Sequence, residues 1–211
     1  MKLTVFGATG ATGTRLVEQA TAAGHEVTAV VRDPARLTVP TGQRLQVVTA
    51  DVMDPAAISP AVAAADAVIS AVGPRRGGPT TVSCDSVRSI IAAMQKTGAR
   101  RLVTISGSIV ADAGEGIVMR SLVKPMVRVT LLRQVCADMR RAEDEVRHSG
   151  LDWTIMRPPR LTDKAAAGTY RTAVDRNLPR GFTISRADLA MCILALLEDP
   201  ASIHRHLCVA S

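Results

Sequence analysis

Short apolar runs recur along the chain and predict the strands of a sheet. They are rich in Val, Ile, Leu and Ala and lack the polar alternation of a half-exposed strand, so both faces of the sheet should be covered. The predicted strands occupy residues 2–6, 25–31, 45–49, 66–72, 101–105 and 151–156, with shorter strands at 182–185 and 206–210.

Between these runs, apolar residues recur at helical spacing. Leu16, Val17 and Ala20 mark the first predicted helix, and Gly24 ends it. The helices are predicted at residues 14–23, 55–65, 82–97, 135–149 and 186–198. Strands that alternate with helices in this way indicate an α/β fold, a doubly wound parallel sheet with helices on both faces.

The composition favours one domain with an aliphatic core. The chain has 211 residues, of which 47% are hydrophobic, yet its only aromatic residues are Phe6, Trp153, Tyr170 and Phe182. This length suits a single doubly covered sheet. We expect a small substrate-side region formed by about residues 107–134 and 157–185.

Cysteine usage and charge argue against several classes of protein. The four cysteines form no C-x-x-C pair, and no ligand cluster accompanies His204 and His206, so we expect neither a disulfide scaffold nor a metal site. The net charge of +7 is spread along the chain without an aromatic stacking set, which argues against nucleic-acid binding. The first strand begins at Lys2 and no apolar run is long enough for a membrane span, so the expected location is cytoplasmic.

A glycine-spaced turn separates the first predicted strand from the first predicted helix. It contains Gly7, Gly10 and Gly13 in the sequence G-A-T-G-A-T-G. The unpaired N–H groups of a first helical turn, together with the helix dipole, bind a pyrophosphate without any basic side chain. Gly7 would make the tight turn, Gly10 would admit the diphosphate, and Gly13 would let the helix pack on the strand. The alternative is a glycine-rich turn without a ligand.

The second predicted strand ends on a positive charge, Arg32, and Arg36 follows one helical turn later. At this point of a dinucleotide-binding sheet an acidic residue binds the ribose 2′-hydroxyl, whereas an arginine pairs with a 2′-phosphate. The pattern therefore predicts NADP(H) as the cofactor. Asp33 could face the ribose instead, but its place before Pro34 is typical of a capping residue.

Other strand ends carry further candidate residues. Asp51 follows the third strand and can accept a hydrogen bond from the adenine amino group. The loop containing Gly73, Arg75 and Arg76 follows the fourth strand, and it either binds ribose and phosphate or is a mobile surface loop. Ser106 ends the fifth strand, where its hydroxyl either faces the nicotinamide or only caps the next turn.

Residues 109–136 have a mixed pattern. Arg120, Lys124 and Arg128 recur at every fourth position among apolar residues, which predicts a helix with one basic face, kinked or split at Pro125. The first interpretation is a helix packed on the body of the protein with a solvated basic edge. A lid over the substrate site, a dimer face and a membrane-surface helix are the alternatives, in that order.

Seven motifs together resemble the atypical short-chain dehydrogenase/reductase family, over nearly the whole chain. They are the glycine turn, V-V-R-D-P-A-R, the D-V after the third strand, A-V-G-P-R, L-V-T-I-S-G, S-G-L-D-W-T-I-M-R-P-P and I-S-R-A-D-L-A. The likeness is greatest to the small NAD(P)H-binding proteins around the NADPH-dependent flavin reductase, also called biliverdin reductase B, and looser to NmrA-like proteins. The resemblance implies a single NAD(P)-binding Rossmann domain.

The resemblance also implies a set of cofactor contacts, taken over motif by motif. Those to the pyrophosphate would come from Thr9, Gly10, Ala11 and Thr12, those to the 2′-phosphate from Arg32 and Arg36, and those to the adenine from Asp51 and Val52. Val72, Gly73 and Arg75 would line the cofactor, and Ser106, Pro158 and Pro159 would lie near the nicotinamide.

The chain departs from that family at positions that bear on the substrate. Flavin reductases of this kind carry a histidine directly after the Pro-Pro pair, where this chain has Arg160. The Tyr-x-x-x-Lys of ordinary short-chain dehydrogenases is also missing, and Cys136 and Arg140 occupy its positions if Glu143 sets the register. Arginine lacks the tunable acid chemistry of lysine. A flavin or quinone accepts hydride into a conjugated system and can take its proton from solvent, so the missing acid favours such an acceptor.

The function predicted from the sequence is an NADPH-dependent oxidoreductase that reduces a planar acceptor such as a flavin or quinone. Ser106 and Arg160 would orient the acceptor, and the protein would act as a monomer or homodimer. The alternatives are a non-catalytic NADP(H)-binding redox sensor and a regulatory or assembly protein that uses the basic helix.

Overall fold

An eight-stranded sheet forms the middle layer of the protein in the computed structural model, which describes residues 1–40, 42–74, 80–110 and 132–211. Its strands are β1 (Lys2–Phe6), β2 (Glu26–Val31), β3 (Leu45–Thr49), β4 (Ala67–Ser70), β5 (Arg101–Ile105), β6 (Asp152–Arg157), β8 (Arg171–Val174) and β10 (Arg205–Ala210). The strand order is β3-β2-β1-β4-β5-β6-β10-β8, and each neighbouring pair is parallel except β10 with β8. Two further strands, β7 (Arg160–Thr162) and β9 (Thr183–Ser185), pair with each other in parallel.

Helices cover both faces of the sheet. They are α1 (Ala11–Ala22), α2 (Pro55–Ala63), α3 (Val82–Thr97), α4 (Leu132–Arg147) and α5 (Arg186–Leu196). On one face α1 packs beside α5, and the core there includes Leu16 and Leu189. On the other face α3 packs between α2 and α4, over a core that includes Ile90 and Trp153. No helix in the described part of the chain is long and apolar enough to cross a membrane.

The predicted doubly wound α/β fold is confirmed, with two additions at its carboxyl-terminal end. Strands β7 and β8 were not predicted, and β8 runs antiparallel to β10. The terminal strand predicted at 206–210 forms as β10 and lies inside the sheet, between β6 and β8. The basic face of the predicted helix and its expected kink at Pro125 fall on residues 111–131, which lie outside the part of the chain that the structure describes.

A buried arginine fixes the edge of the sheet at which the strands begin. Arg101, the first residue of β5, is only 9% exposed. Its guanidinium donates to Thr154 Oγ1 at 2.8 Å, to Ser202 Oγ at 2.8 Å and to the Leu196 carbonyl at 3.1 Å. These bonds join β5 and β6 to the end of α5 at the amino ends of the strands. Parallel sheets of this kind bind their ligands at the opposite side, where the carboxyl ends of the strands lie.

Candidate functional site

The carboxyl ends of four neighbouring strands bring most of the predicted site residues to one edge of the sheet. The register pairs Phe6 with Ser70 and Ser70 with Thr104, so β1, β4 and β5 end side by side. Ile105 pairs with Met156, which places the end of β6 next in line. The glycine turn, Gly73, Ser106 and Pro158 follow directly after these strand ends. They therefore lie along the crevice in which a parallel sheet of this topology binds its ligand.

The glycine turn has the backbone geometry that a pyrophosphate site requires. Gly7 adopts a φ of +76°, and a Cβ added to it would lie 2.6 Å from the Ala71 carbonyl oxygen. A Cβ on Gly13 would lie 2.1 Å from the Gly7 carbonyl oxygen, so α1 can approach β1 only because this position is glycine. The helix begins at Ala11, and its first N–H groups lack intrahelical acceptors. The turn therefore offers backbone donors at a helix N-terminus to an anionic group.

Two exposed arginines follow the end of β2. Both Arg32 and Arg36 face solvent, and neither makes an ion pair with a residue that the structure describes. Asp33 serves as the cap of the short turn Pro34–Arg36, because its Oδ1 accepts from the Ala35 N–H at 3.1 Å. Asp33 therefore has the capping role expected from the sequence, and the two arginines are available to an anion.

The ends of β3 and β4 present smaller features. Asp51 is exposed, and its Oδ1 accepts from the Met53 N–H at 3.0 Å, which orders the turn after β3. Val52 is half-buried against the core beneath α2 and α3. Gly73 is exposed, and no atom of the described residues lies within 4 Å of a Cβ added to it. Arg75 lies outside the described residues.

Ser106 borders a small pocket between α3 and α4. Its backbone N–H donates to the Met156 carbonyl at 2.8 Å, which continues the ladder between β5 and β6. Its hydroxyl oxygen is buried and has no hydrogen-bond partner among the described residues, so the hydroxyl does not cap the following turn. The pocket is mostly apolar, with one carboxylate and three hydroxyls. Its lining residues are Val72, Ser83, Val87, Thr104, Ile105, Ser106, Met139, Ala142 and Glu143.

The Pro-Pro turn is fixed to the end of β5. The Ser108 N–H donates to the Pro158 carbonyl at 2.8 Å, and Pro158 is buried whereas Pro159 is half-buried. Arg160 is exposed and begins β7, opposite Thr183 of β9. The turn thus lies beside Ser106, and Arg160 leads from it into the smaller sheet.

An ion pair that the sequence did not predict anchors this turn from behind. Arg157, directly before Pro158, donates from Nε to Glu143 Oε1 at 3.0 Å and from its terminal nitrogen to Glu143 Oε2. The side chain of Glu143 is 6% exposed and also lines the pocket beside Ser106. In the sequence analysis Glu143 only set the register for the missing Tyr-x-x-x-Lys. Its pairing with Arg157 was not predictable, because the 14 residues that separate them span a helix end, a turn and a strand.

A buried carboxylate holds the loop on the substrate side. Asp188, in the first turn of α5, accepts from the N–H groups of Ala167 and Gly168, each at 3.0 Å. Burial by itself raises the pKa of Asp188, but the hydrogen bonds from Ser185, Ala167 and Gly168 outweigh it and hold that pKa below its ordinary value. The loop before β8 is therefore tied to the main body.

Comparison with known proteins identifies the family. Residues 7–200 match the family described as NAD(P)H-binding. The chain belongs to that family. An uncharacterized chloroplastic protein of Arabidopsis thaliana, At2g34460, is 31% identical over an alignment of 212 positions, gaps included, that covers 95% of this chain and 74% of that protein.

Solved structures share the fold over the whole chain. ChuY, an anaerobilin reductase from Escherichia coli O157:H7, is 27% identical with a TM-score of 0.80, covering 100% of this chain and 97% of that one. A short-chain dehydrogenase/reductase from Veillonella parvula, solved in complex with NADP, is 18% identical with a TM-score of 0.81, covering 100% and 94% of the two chains. The predicted NAD(P)H-binding family and NAD(P)H as the cofactor class are thus confirmed, and the fold is shared with a short-chain dehydrogenase/reductase.

Proposed function

We propose that the protein is an NADPH-dependent reductase that transfers hydride to a planar acceptor such as a flavin or quinone. Membership of the NAD(P)H-binding family and the likeness to a reductase support the general class. The observation that carries the choice of acceptor is the place of the single tyrosine, Tyr170. Tyr170 packs on the core beneath α1 and α5. Burial raises the pKa of its hydroxyl, and the neighbouring Cys192 raises it further.

A tyrosine hydroxyl is therefore not available beside Ser106. Reducing an isolated carbonyl needs a proton donor at the nascent alkoxide, and the pocket residues supply no tyrosine or lysine for that role. A conjugated acceptor delocalises the added charge and can take its proton from solvent. The absence of that acid among the residues lining the described pocket supports a flavin or quinone over a simple ketone.

The proposed roles of the chain's own residues follow from their positions. The glycine turn would hold the pyrophosphate, and Arg32 with Arg36 would pair with the 2′-phosphate. Asp51, Val52, Val72 and Gly73 would border the adenosine and ribose. The bound cofactor would supply a hydride from its nicotinamide ring. Ser106 would use its unpartnered hydroxyl to orient the reacting rings, and Arg160 would attract a phosphate, a carboxylate or the charge of a reduced acceptor.

The experiment is single-turnover oxidation of NADPH by FMN, a quinone and a redox dye. The Ser106→Ala variant should slow hydride transfer about tenfold or more while NADPH affinity and stability stay unchanged, because the lost hydroxyl has no partner among the residues that the structure describes. Ser89→Ala is the matched control, since the Ser89 hydroxyl is equally buried and unpartnered but does not line the pocket. Arg160→Ala should raise the acceptor KM.

The outcomes separate the proposal from its rivals. If wild-type protein binds NADPH but transfers hydride to none of the acceptors, a non-catalytic redox sensor is the better account. If both serine variants react at the wild-type rate, Ser106 has no role in the reaction.

A further inference from the structure

Four titratable side chains, Glu143, Arg157, His206 and Asp175, connect the Ser106 pocket to the solvent-exposed side of β10. Glu143 lines the pocket and pairs with Arg157. His206 of β10 brings its Nε2 to 4.0 Å from Glu143 Oε2, and its Nδ1 lies 3.3 Å from Asp175 Oδ1. Side-chain exposure rises along this series, from 6% at Glu143 to 14% at His206 and 47% at Asp175. The series therefore leads from the pocket to solvent.

The surroundings of His206 define the proton that it carries. The Asp175 carboxylate accepts from both the backbone N–H and Nδ1 of His206, so the neutral imidazole holds its proton on Nδ1. Nε2 is then a bare acceptor facing a carboxylate, and it is buried with no hydrogen-bond partner among the described residues. The Trp153 ring packs against the imidazole at a centroid distance of 5.3 Å, with the two rings inclined by 64°.

Opposing charges surround the imidazole. Burial lowers the pKa of His206 and Arg157 lowers it further, whereas Glu143 and Asp175 raise it. The net effect keeps His206 neutral near pH 7. Arg205, the neighbour in the chain, faces Asp175 at 3.4 Å and shares that carboxylate with His206.

We infer that Glu143 is a positioning residue of the site assigned above, and that protonation of His206 weakens its grip on Arg157. This inference rests on the proposed reductase function. With His206 neutral, both oxygens of Glu143 bind Arg157 and hold the Pro158 turn against α4. A proton on His206 adds a second cation on Glu143, which attracts the carboxylate and repels Arg157.

The effect reaches Ser106 through the backbone. Ser106 and Ser108 donate to the carbonyls of Met156 and Pro158, on either side of Arg157. A shift of Arg157 therefore moves the edge on which Ser106 lies. Displacements of about 1 Å at a reacting edge cost up to about a hundredfold in rate.

The first test uses the protein without cofactor, by NMR titration of its histidine side chains. In Glu143→Gln, the His206 midpoint should move to lower pH, because an anion that favours the imidazolium is lost. His204 is the internal control, since its ring also packs on Trp153, at 5.6 Å, but binds the Leu151 carbonyl instead of Glu143. An unchanged His206 midpoint would overturn the coupling whether or not the protein is a reductase.

The second test measures single-turnover rates against pH. Glu143→Gln should lower the rate about tenfold with NADPH affinity unchanged. The wild-type rate should fall at acid pH as His206 becomes protonated. His206→Gln should remove that fall, because Glu143 keeps its pair with Arg157. His204→Asn, which tolerates the local φ of 58°, should keep the wild-type profile.

The two tests fail separately. A wild-type protein without turnover defeats the reductase proposal, and the NMR shift still decides the coupling. A wild-type single-turnover rate in Glu143→Gln would overturn the positioning role alone. So would a fall of the rate at acid pH that persists in His206→Gln. If Glu143→Gln does not fold, the His206→Gln profile decides.

Discussion

Asp188 and the Ser185 hydroxyl are joined by two hydrogen bonds, one to the Asp188 carboxylate and one from its backbone N–H. Ser185 Oγ accepts from the Asp188 N–H at 2.9 Å and donates to Asp188 Oδ2 at 2.6 Å. The same carboxylate accepts from Ala167 and Gly168, so one side chain holds the Ser185 cap of α5 and also fixes a loop 20 residues away in sequence. Because these hydrogen bonds are charge-assisted, the Asp188 carboxylate should stabilise the folded protein more than an exposed carboxylate does.

We expect the Asp188→Asn substitution to lower the free energy of unfolding at pH 7 by about 1–3 kcal/mol, because an amide cannot accept all these hydrogen bonds. The native pKa of Asp188 lies below its unfolded value, so its contribution is complete above about pH 4 and disappears as pH falls through the native pKa. Urea unfolding at pH 7 and pH 3 should show the gap between wild type and variant closing in acid.

The exposed Asp163, paired with Arg186 at 2.6 Å, provides the control. Asp163→Asn should change stability by less than about 1 kcal/mol. A gap between wild type and Asp188→Asn that stays constant with pH would contradict the assigned charge.

The contact between Gly13 and Gly7 gives a second prediction. Gly13→Ala places a Cβ 2.1 Å from a backbone oxygen, which only a backbone shift can relieve. We expect a loss of about 1–3 kcal/mol in stability and weaker NADPH binding, measured by thermal unfolding and fluorescence titration. Gly42→Ala, where an added Cβ meets nothing within 4 Å, should be neutral. A stable Gly13→Ala protein with normal affinity would show that this close approach is not needed.

Cofactor preference gives a third prediction. Arg32→Ala should weaken NADPH binding about tenfold or more and leave NADH binding unchanged, because only the 2′-phosphate form loses a charge-assisted contact of about 1.5–3 kcal/mol. Isothermal titration with both cofactors measures the ratio. Arg100→Ala, at the opposite edge of the sheet beside Asp152, should alter neither affinity. An unchanged ratio in Arg32→Ala would remove Arg32 from the cofactor site.

The central part of the fold was predictable because each central strand is a short, mostly apolar run, separated from the next by a segment with helical spacing or by a turn. Edge strand β8 was not, since Arg171, Thr172 and Val174 are exposed and carry no burial pattern. Arg101 was predicted as a strand residue but not as a buried one. Its burial depends on acceptors from three other segments, which sequence periodicity does not encode.

The site divides in the same way. The glycine turn and the strand-end residues follow from local spacing, because the carboxyl ends of parallel strands share an edge. The relation of Glu143 to Arg157 and His206 is tertiary. A lone glutamate on a charged helix reads as a solvated residue, and only its 5% exposure in the folded protein distinguishes it.

The ladder that continues past β5 and β6 through Ser106, Met156, Ser108 and Pro158 separates two properties of this scaffold. Backbone hydrogen bonds join the ends of β5 and β6 directly to each other, and the connections that lead away from these ends are separate stretches of the chain. Insertions or exchanges in those connections can therefore alter which molecules are admitted without resetting where hydride would be exchanged. In the proposed reductase, acceptor choice and reaction geometry would then be independently adjustable, which would make the chain a suitable framework for exchanging one acceptor for another.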